Sequence, residues 1–197
     1  MREGAWSTPL GNLEIDSGLA ERLTDEFKFS IETASHYEQD NTIELQLPFI
    51  KYLFPDAKIL PIGAPPKTSS IRIGERVSEI AVDLEKKIYV IGSTDLTHYG
   101  YNYGNTPMGT GKKAVDWVKD ENDKRMIDII LKMETEEIIS ESLANSNACC
   151  SGAVATAVAA LKKLGATRAE KIIYRTSYDI RPDESFVGYA GIVFGRD

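Results

Sequence analysis

Residues 88–100 read Ile-Tyr-Val-Ile-Gly-Ser-Thr-Asp-Leu-Thr-His-Tyr-Gly. The β-branched and aromatic run at the front is the pattern of a strand buried on both faces. It stops at Gly92 and turns at once into small and polar residues, with Asp95, Thr97, His98 and Tyr99 close together. In a parallel α/β sheet, ligands collect beyond the carboxyl ends of the strands, where side chains leave the core. A strand that ends in Ser-Thr-Asp-Leu-Thr-His-Tyr is suited to such a crevice. The chain has two histidines, and one of them is here.

The remaining elements fit the same class. Asp16 or Ser17 can cap a helix with Leu19, Leu23 and Phe27 on one face. A short strand is expected at Leu13 and Ile15, and another at Phe29 to Ile31. Asn41 and Glu44 have capping-box spacing, which predicts a largely buried helix through Ile43, Leu47 and Leu53, kinked at Pro48. Residues 57–63 form a second strand candidate. Ser69 or Ser70 then caps a long helix that leads into 88–91, which gives a strand–helix–strand unit and implies a parallel sheet. Residues 101–111 are a Gly/Asn/Pro-rich loop without phosphate-loop spacing. Helices are expected around 115–118, 126–131 and 136–143, followed by an Ala-rich helix over 152–164 that ends at Gly165. Residues 171–175 and 186–194 read as strands.

With 197 residues and 42% apolar content, the chain suits one globular domain. A net charge of -7 argues against a nucleic-acid or anionic-membrane partner, which needs a basic face. No apolar run approaches the ~20 residues that span a bilayer, and Met1-Arg2-Glu3-Gly4 opens no signal-peptide core. The two cysteines, Cys149 and Cys150, are adjacent, a poor geometry for bonding to each other. The expected setting is a reducing cytoplasm.

Asp95 and His98 form the best candidate for chemistry. A carboxylate beside an imidazole fixes its tautomer and makes it an acid/base. The plainer alternative is a turn cap and a hydrogen-bonded wall residue. Cys149 and Cys150 sit just before a helix N-terminus, where the backbone dipole favours a thiolate that ligates metal or attacks as a nucleophile. Packing as two small apolar side chains is their plainer role. His36 reads as a surface residue, and Glu44 as a capping partner. Tyr99, Tyr101 and Tyr103 suit either an aromatic cleft or packing. A mononuclear metal site takes about three protein ligands, a complete set that the residues of this chain do not display by themselves.

Five motifs occur in order: 6–16 (Trp-Ser-Thr-Pro-Leu-Gly-Asn-Leu-Glu-Ile-Asp), 40–49 (Asp-Asn-Thr-Ile-Glu-Leu-Gln-Leu-Pro-Phe), 93–100, 148–152 (Ala-Cys-Cys-Ser-Gly) and 185–190 (Ser-Phe-Val-Gly-Tyr-Ala). Together they resemble the Memo family, known in microbes as protein B of the AmmeMemoRadiSam system. The resemblance implies a three-layer αβα fold with a mostly parallel central sheet, related to the class III extradiol dioxygenases, which use non-haem iron. It implies that Asp95 and His98 match a pocket-mouth Asp and an acid/base His, and that Cys149 matches a metal-ligand cysteine. The implied cofactor is a divalent metal, with Fe(II) foremost.

The sequence also departs from the family. The family's two ligand histidines come from an N-terminal third, and this sequence starts after both. The family's Glu-His-Ser-Ile-Glu motif reads Asp40-Asn41-Thr42-Ile43-Glu44 here. Cys150 replaces a glycine, and Ala153 a proline. The expectation is a single Memo-like domain over 1–197 that lacks the family's N-terminal segment. An upstream start, a separate chain that supplies the segment, and a degenerate site all stay open. The resemblance further implies radical-SAM and AMMECR-type partners. Three functions follow. The first is a metal pocket in which Cys149 ligates, His98 moves protons and Asp95 orients it. The second is a non-catalytic binding subunit, and the third a Cys-His-Asp hydrolase with Cys149 as nucleophile.

Overall fold

The computed structural model describes residues 1–33, 35–37 and 41–196. The chain divides into two compact units, 1–63 with 79–88, and 64–78 with 89–197. The fold is mixed α/β, as expected.

In the first unit, β1 (Ala5–Thr8) and β2 (Gly11–Glu14) form an antiparallel hairpin. Helix α1 (Ser17–Glu26) follows, with Leu19, Ala20 and Leu23 buried. Asp16 is its N-cap and accepts a hydrogen bond from the Leu19 N–H at 3.0 Å. Burial works to raise the Asp16 pKa, but Lys86 Nζ at 2.6 Å and the Leu19 N–H outweigh it, and the carboxyl is held below its ordinary value. Helix α2 (Leu47–Leu53) is shorter than the capping-box reading predicts. Residues 41–46 form turns, and Pro48 stands in the first turn of the helix, where its missing N–H costs nothing, so it kinks nothing. Of α2 only Leu47 is buried, and Phe49, Tyr52 and Leu53 are exposed. His36 is exposed, as predicted, and Asp40 lies outside the described residues. Neither the strand expected at 29–31 nor the one at 57–63 forms. Residues 57–63 contribute only an isolated parallel bridge, Ile15 to Ile59.

Helix α3 (Thr68–Asp83) begins in the second unit. There, α4 (Lys112–Trp117) runs through a π-helical turn (Val118–Asn122) into α5 (Asp123–Leu131), followed by α6 (Thr135–Asn145) and α7 (Ser151–Lys163). The sheet has the order β3 (His98–Tyr99), β5 (Phe186–Gly195), β4 (Arg168–Thr176), and both of its ladders are antiparallel. Met126, Ile130, Ile138, Ala155, Val158 and Leu96 form the main core beneath it. Helix α7 packs tightly at its first turn. A Cβ on Gly152 would stand 2.2 Å from the Ala64 carbonyl oxygen and 2.3 Å from that of Pro65.

The buried strand predicted at 88–91 is the main correction. The segment lies outside any β ladder among the described residues, with Tyr89 68% and Ile91 59% exposed. A strand buried on both faces needs ladder neighbours along both edges, and among the described residues the ladder of this stretch begins at His98, opposite Val187, with the Leu96 N–H donating to the Gly188 carbonyl just before it. The mostly parallel sheet is therefore not formed by the described strands. The Ile15–Ile59 bridge is the one parallel pairing among them.

Candidate functional site

The turn 93–98 and the loop before α7 meet through backbone hydrogen bonds. The Cys149 N–H donates to the Asp95 carbonyl at 3.1 Å, and the Asp95 N–H donates to Cys149 Sγ at 3.4 Å. The Cys150 N–H donates to Thr94 Oγ1 at 2.9 Å, and that hydroxyl donates to the Asp95 carbonyl at 2.8 Å. Segments more than fifty residues apart are thus joined main chain to main chain.

This brings together all three residues singled out from the sequence. Asp95, His98 and Cys149 each offer one ligand atom, and these atoms lie within 4.8 Å of one another. Asp95 Oδ2 is 3.2 Å from His98 Nε2. A carboxylate only accepts, so Nε2 carries the hydrogen and Nδ1 is the ring's acceptor. Both side chains are roughly one-third exposed, and Cys149 is exposed. The tilted ring of Tyr103 packs 4.8 Å from the His98 ring, and Asn105 Nδ2 donates to the His98 carbonyl. Of the other loop tyrosines, Tyr99 is buried and pins the loop, since its hydroxyl donates to the Gly109 carbonyl and accepts from the Met108 N–H. Tyr101 is exposed.

Several residues of the site carry no chemical signal of their own in the sequence, although Thr97 and Tyr189 lie within the family motifs. Tyr189 on β5 has its phenol held above the ordinary value by burial first, and then by the charges of Asp95, Tyr103 and Cys149. Beneath the turn lies a buried polar network. Asp123 Oδ1 accepts from the Thr97 N–H at 2.9 Å and the Thr97 hydroxyl at 2.5 Å, and Oδ2 accepts from the Tyr174 hydroxyl at 2.7 Å. Asn122 Nδ2 donates to Thr97 Oγ1, and Asn147 Nδ2 donates to the Asn122 carbonyl and to Glu141 Oε1. Burial pushes the Asp123 carboxyl up, with the Thr97 and Tyr174 hydrogen bonds opposing it in part. The Tyr174 phenol is raised by burial and by Asp123. The network holds Thr97, which lies between Asp95 and His98, and it reaches Asn147, two residues before Cys149.

The donors are one thiol, one imidazole and one carboxylate. This mixed set suits a borderline first-row divalent ion such as Zn(II) or Fe(II) better than Mg(II) or Ca(II), which take oxygen ligands. Among the described residues, no helix is long and apolar enough to cross a membrane.

The model of the Memo-like protein family matches residues 1–193. Similar proteins include a MEMO1 family protein of Pyrococcus furiosus, 35% identical, with the match covering 98% of this chain and 69% of that protein. Another, from Thermococcus onnurineus, is 33% identical with the same two coverages. A third, from Methanococcus vannielii, is 33% identical over 97% of this chain and 65% of its own length, so this chain spans just under two thirds of that relative. The chain belongs to the Memo family.

Proposed function

We propose that this chain carries the metal side of a Memo-type pocket, with Cys149 as ligand, His98 as proton carrier and Asp95 as its orienting partner. The observation that supports the reading is the convergence of the three donor atoms within 4.8 Å on a partly open face. Fe(II) is the proposed ion, and dioxygenase-like oxidation is the proposed class of reaction. A bound divalent ion would supply Lewis acidity toward an oxygen of the substrate. The chain's own residues do the rest. Asp95 holds the Nε2–H of His98, and so leaves Nδ1 as the atom that takes and returns a proton. Tyr103 fixes the plane of the imidazole. Asp123, acting through Thr97, holds the turn that carries both groups.

The wider frame of this proposal is a single Memo-like domain with a three-layer αβα architecture, located in the cytoplasm. The matched relatives are longer than this chain, and further ligands from sequence beyond it, or from a partner chain, belong to the same reading. A second reading, as a binding subunit, draws on the exposed Tyr89 and Ile91. Exposed apolar side chains of this kind suit burial against another chain.

The test is anaerobic titration of the chain with Fe(II) and with Zn(II) by calorimetry, repeated on Cys149→Ala. One-to-one binding that disappears in the variant supports the metal reading. Absence of binding, together with co-purification of a metal-free partner chain, supports the binding subunit.

A further inference from the structure

The metal reading uses one of two adjacent sulfurs, although both are placed for chemistry. Cys149 Sγ lies 3.6 Å from Cys150 Sγ, Cys149 is exposed and Cys150 is half-buried. The main chain beneath them is held by the Cys149 N–H bond to the Asp95 carbonyl and the Cys150 N–H bond to Thr94 Oγ1. The two thiols therefore stand in contact while both peptide groups remain anchored. We propose that Cys149 and Cys150 form a thiol–disulfide exchange site for small-molecule disulfides, with Cys149 as the entry thiol and Cys150 as the resolving thiol.

The exchange balances without any other oxidant. The Cys149 sulfur gives its proton to solvent and attacks one sulfur of the small disulfide. That disulfide bond breaks, and one small thiol leaves with a proton. Cys149 is then a mixed disulfide. The Cys150 sulfur attacks Cys149 Sγ, the mixed bond breaks, and the second small thiol leaves with the proton of Cys150. Two electrons pass from the cysteine pair to the small disulfide, which ends as two thiols.

Exposure makes Cys149 the sulfur that an incoming molecule meets first, and the 3.6 Å contact puts the second sulfur beside the bond to be broken. Adjacent Cα atoms are ~3.8 Å apart, below the ~4.4–6.8 Å that disulfides usually span. The closed ring is therefore strained and easily reopened by thiols, as suits an exchange site rather than a structural bond. A consequence, which rests on the metal reading above, is that a Cys149 sulfur tied into the ring cannot ligate, so oxidation and metal binding exclude each other.

The test uses the whole chain, first without metal. It is incubated with excess oxidised glutathione, and free thiols, intact mass and non-reducing mobility are measured. The expected result is loss of both thiols, a mass lower by two hydrogens, no retained glutathione, unchanged chain size and recovery with reduced glutathione. Cys150→Ser should instead keep one glutathione, on Cys149. Wild type that retains glutathione, bridges two chains or keeps both thiols would overturn the proposal. Fe(II) and Zn(II) titrations of the reduced and oxidised chain then separate the two ideas. If the reduced chain binds neither ion, the metal reading fails while the exchange result stands. If both forms bind equally, the mutual exclusion is wrong.

Discussion

Asp95 and Cys149 hold each other reciprocally: the Cys149 N–H donates to the Asp95 carbonyl at 3.1 Å, and the Asp95 N–H donates to Cys149 Sγ at 3.4 Å. One half of this clasp is main chain to main chain, and the other depends on the sulfur. Structure and chemistry at this point are therefore separable by mutation.

Cys149→Ala should remove the sulfur and leave the backbone half in place. The expected outcome is a melting temperature within a few degrees of wild type, with Fe(II) or Zn(II) affinity lowered by at least about 100-fold, since ligand loss should exceed the about 10–100-fold typical of outer-shell changes. Calorimetric titration beside a thermal melt checks both. A variant that melts early and still binds metal would assign Cys149 to packing.

Asp95→Ala should free the His98 ring from its 3.2 Å partner. The expected outcome is partial loss of the Nε2–H tautomer, with the Nδ1–H form appearing beside it in the 15N NMR spectrum of the ring. Asp95→Asn should recover part of that loss, because its amide oxygen still accepts from Nε2–H. If Ala and Asn behave alike, orientation of the imidazole is not what Asp95 contributes.

Asp123 predicts a pH signature. Its native pKa is raised, mainly by burial, above its ordinary value of 3.8. The folded state therefore binds the proton more tightly than the unfolded chain does, and this group's contribution to stability falls as pH rises from about 4 to the raised native value, and is flat above it. Asp123→Asn should lack that falling limb, which urea midpoints measured across pH for the two proteins will show as a pH-dependent difference. Asp123→Ala is a harsher change. It strands the Thr97 N–H, the Thr97 hydroxyl and the Tyr174 hydroxyl, and should cost about 3 kcal/mol or more.

Gly188→Ala tests how tightly β5 closes over that carboxylate. An added Cβ would stand 1.9 Å from Asp123 Oδ2, which is tied to Tyr174. Overpacking of this kind costs about 1–3 kcal/mol, and chemical denaturation should find at least the upper end. Gly188→Ala combined with Asp123→Ala should cost less than the sum of the two single changes, since the second makes room for the first. Simple additivity would mean that the strand moves instead.

The sequence and the structure agree where local pattern decides. Helices α1, α3 and α7 follow apolar spacing and caps, and β4 and β5 follow β-branched and aromatic runs. Asp95, His98 and Cys149 were recognisable from composition at a segment end and from family motifs, and the structure brings them together. Residues 88–91 have the composition of a buried strand, but whether such a run is buried depends on neighbours that its own letters do not specify. Pro48 sits within a helical pattern, and only the position of the first turn tells a kink from a start. Asn122, Asp123, Asn147 and Tyr174 form one network from positions that are mostly tens of residues apart. Polar residues acquire that meaning only when folding sets them side by side in a low-dielectric interior. Tyr189 is hidden for the opposite reason, since in an apolar strand it reads as packing.

The close seating of Gly152 on the carbonyls of Ala64 and Pro65 bears on how this scaffold can change over generations. The first turn of α7 is located by backbone against backbone, so positions 149 and 150 just ahead of it stand on a mounting that main chain largely supplies. Reactive groups at positions 149 and 150 can therefore be replaced without rebuilding what carries them. A side chain at position 152 would displace that turn, so the position that carries no reactive group constrains the two that do.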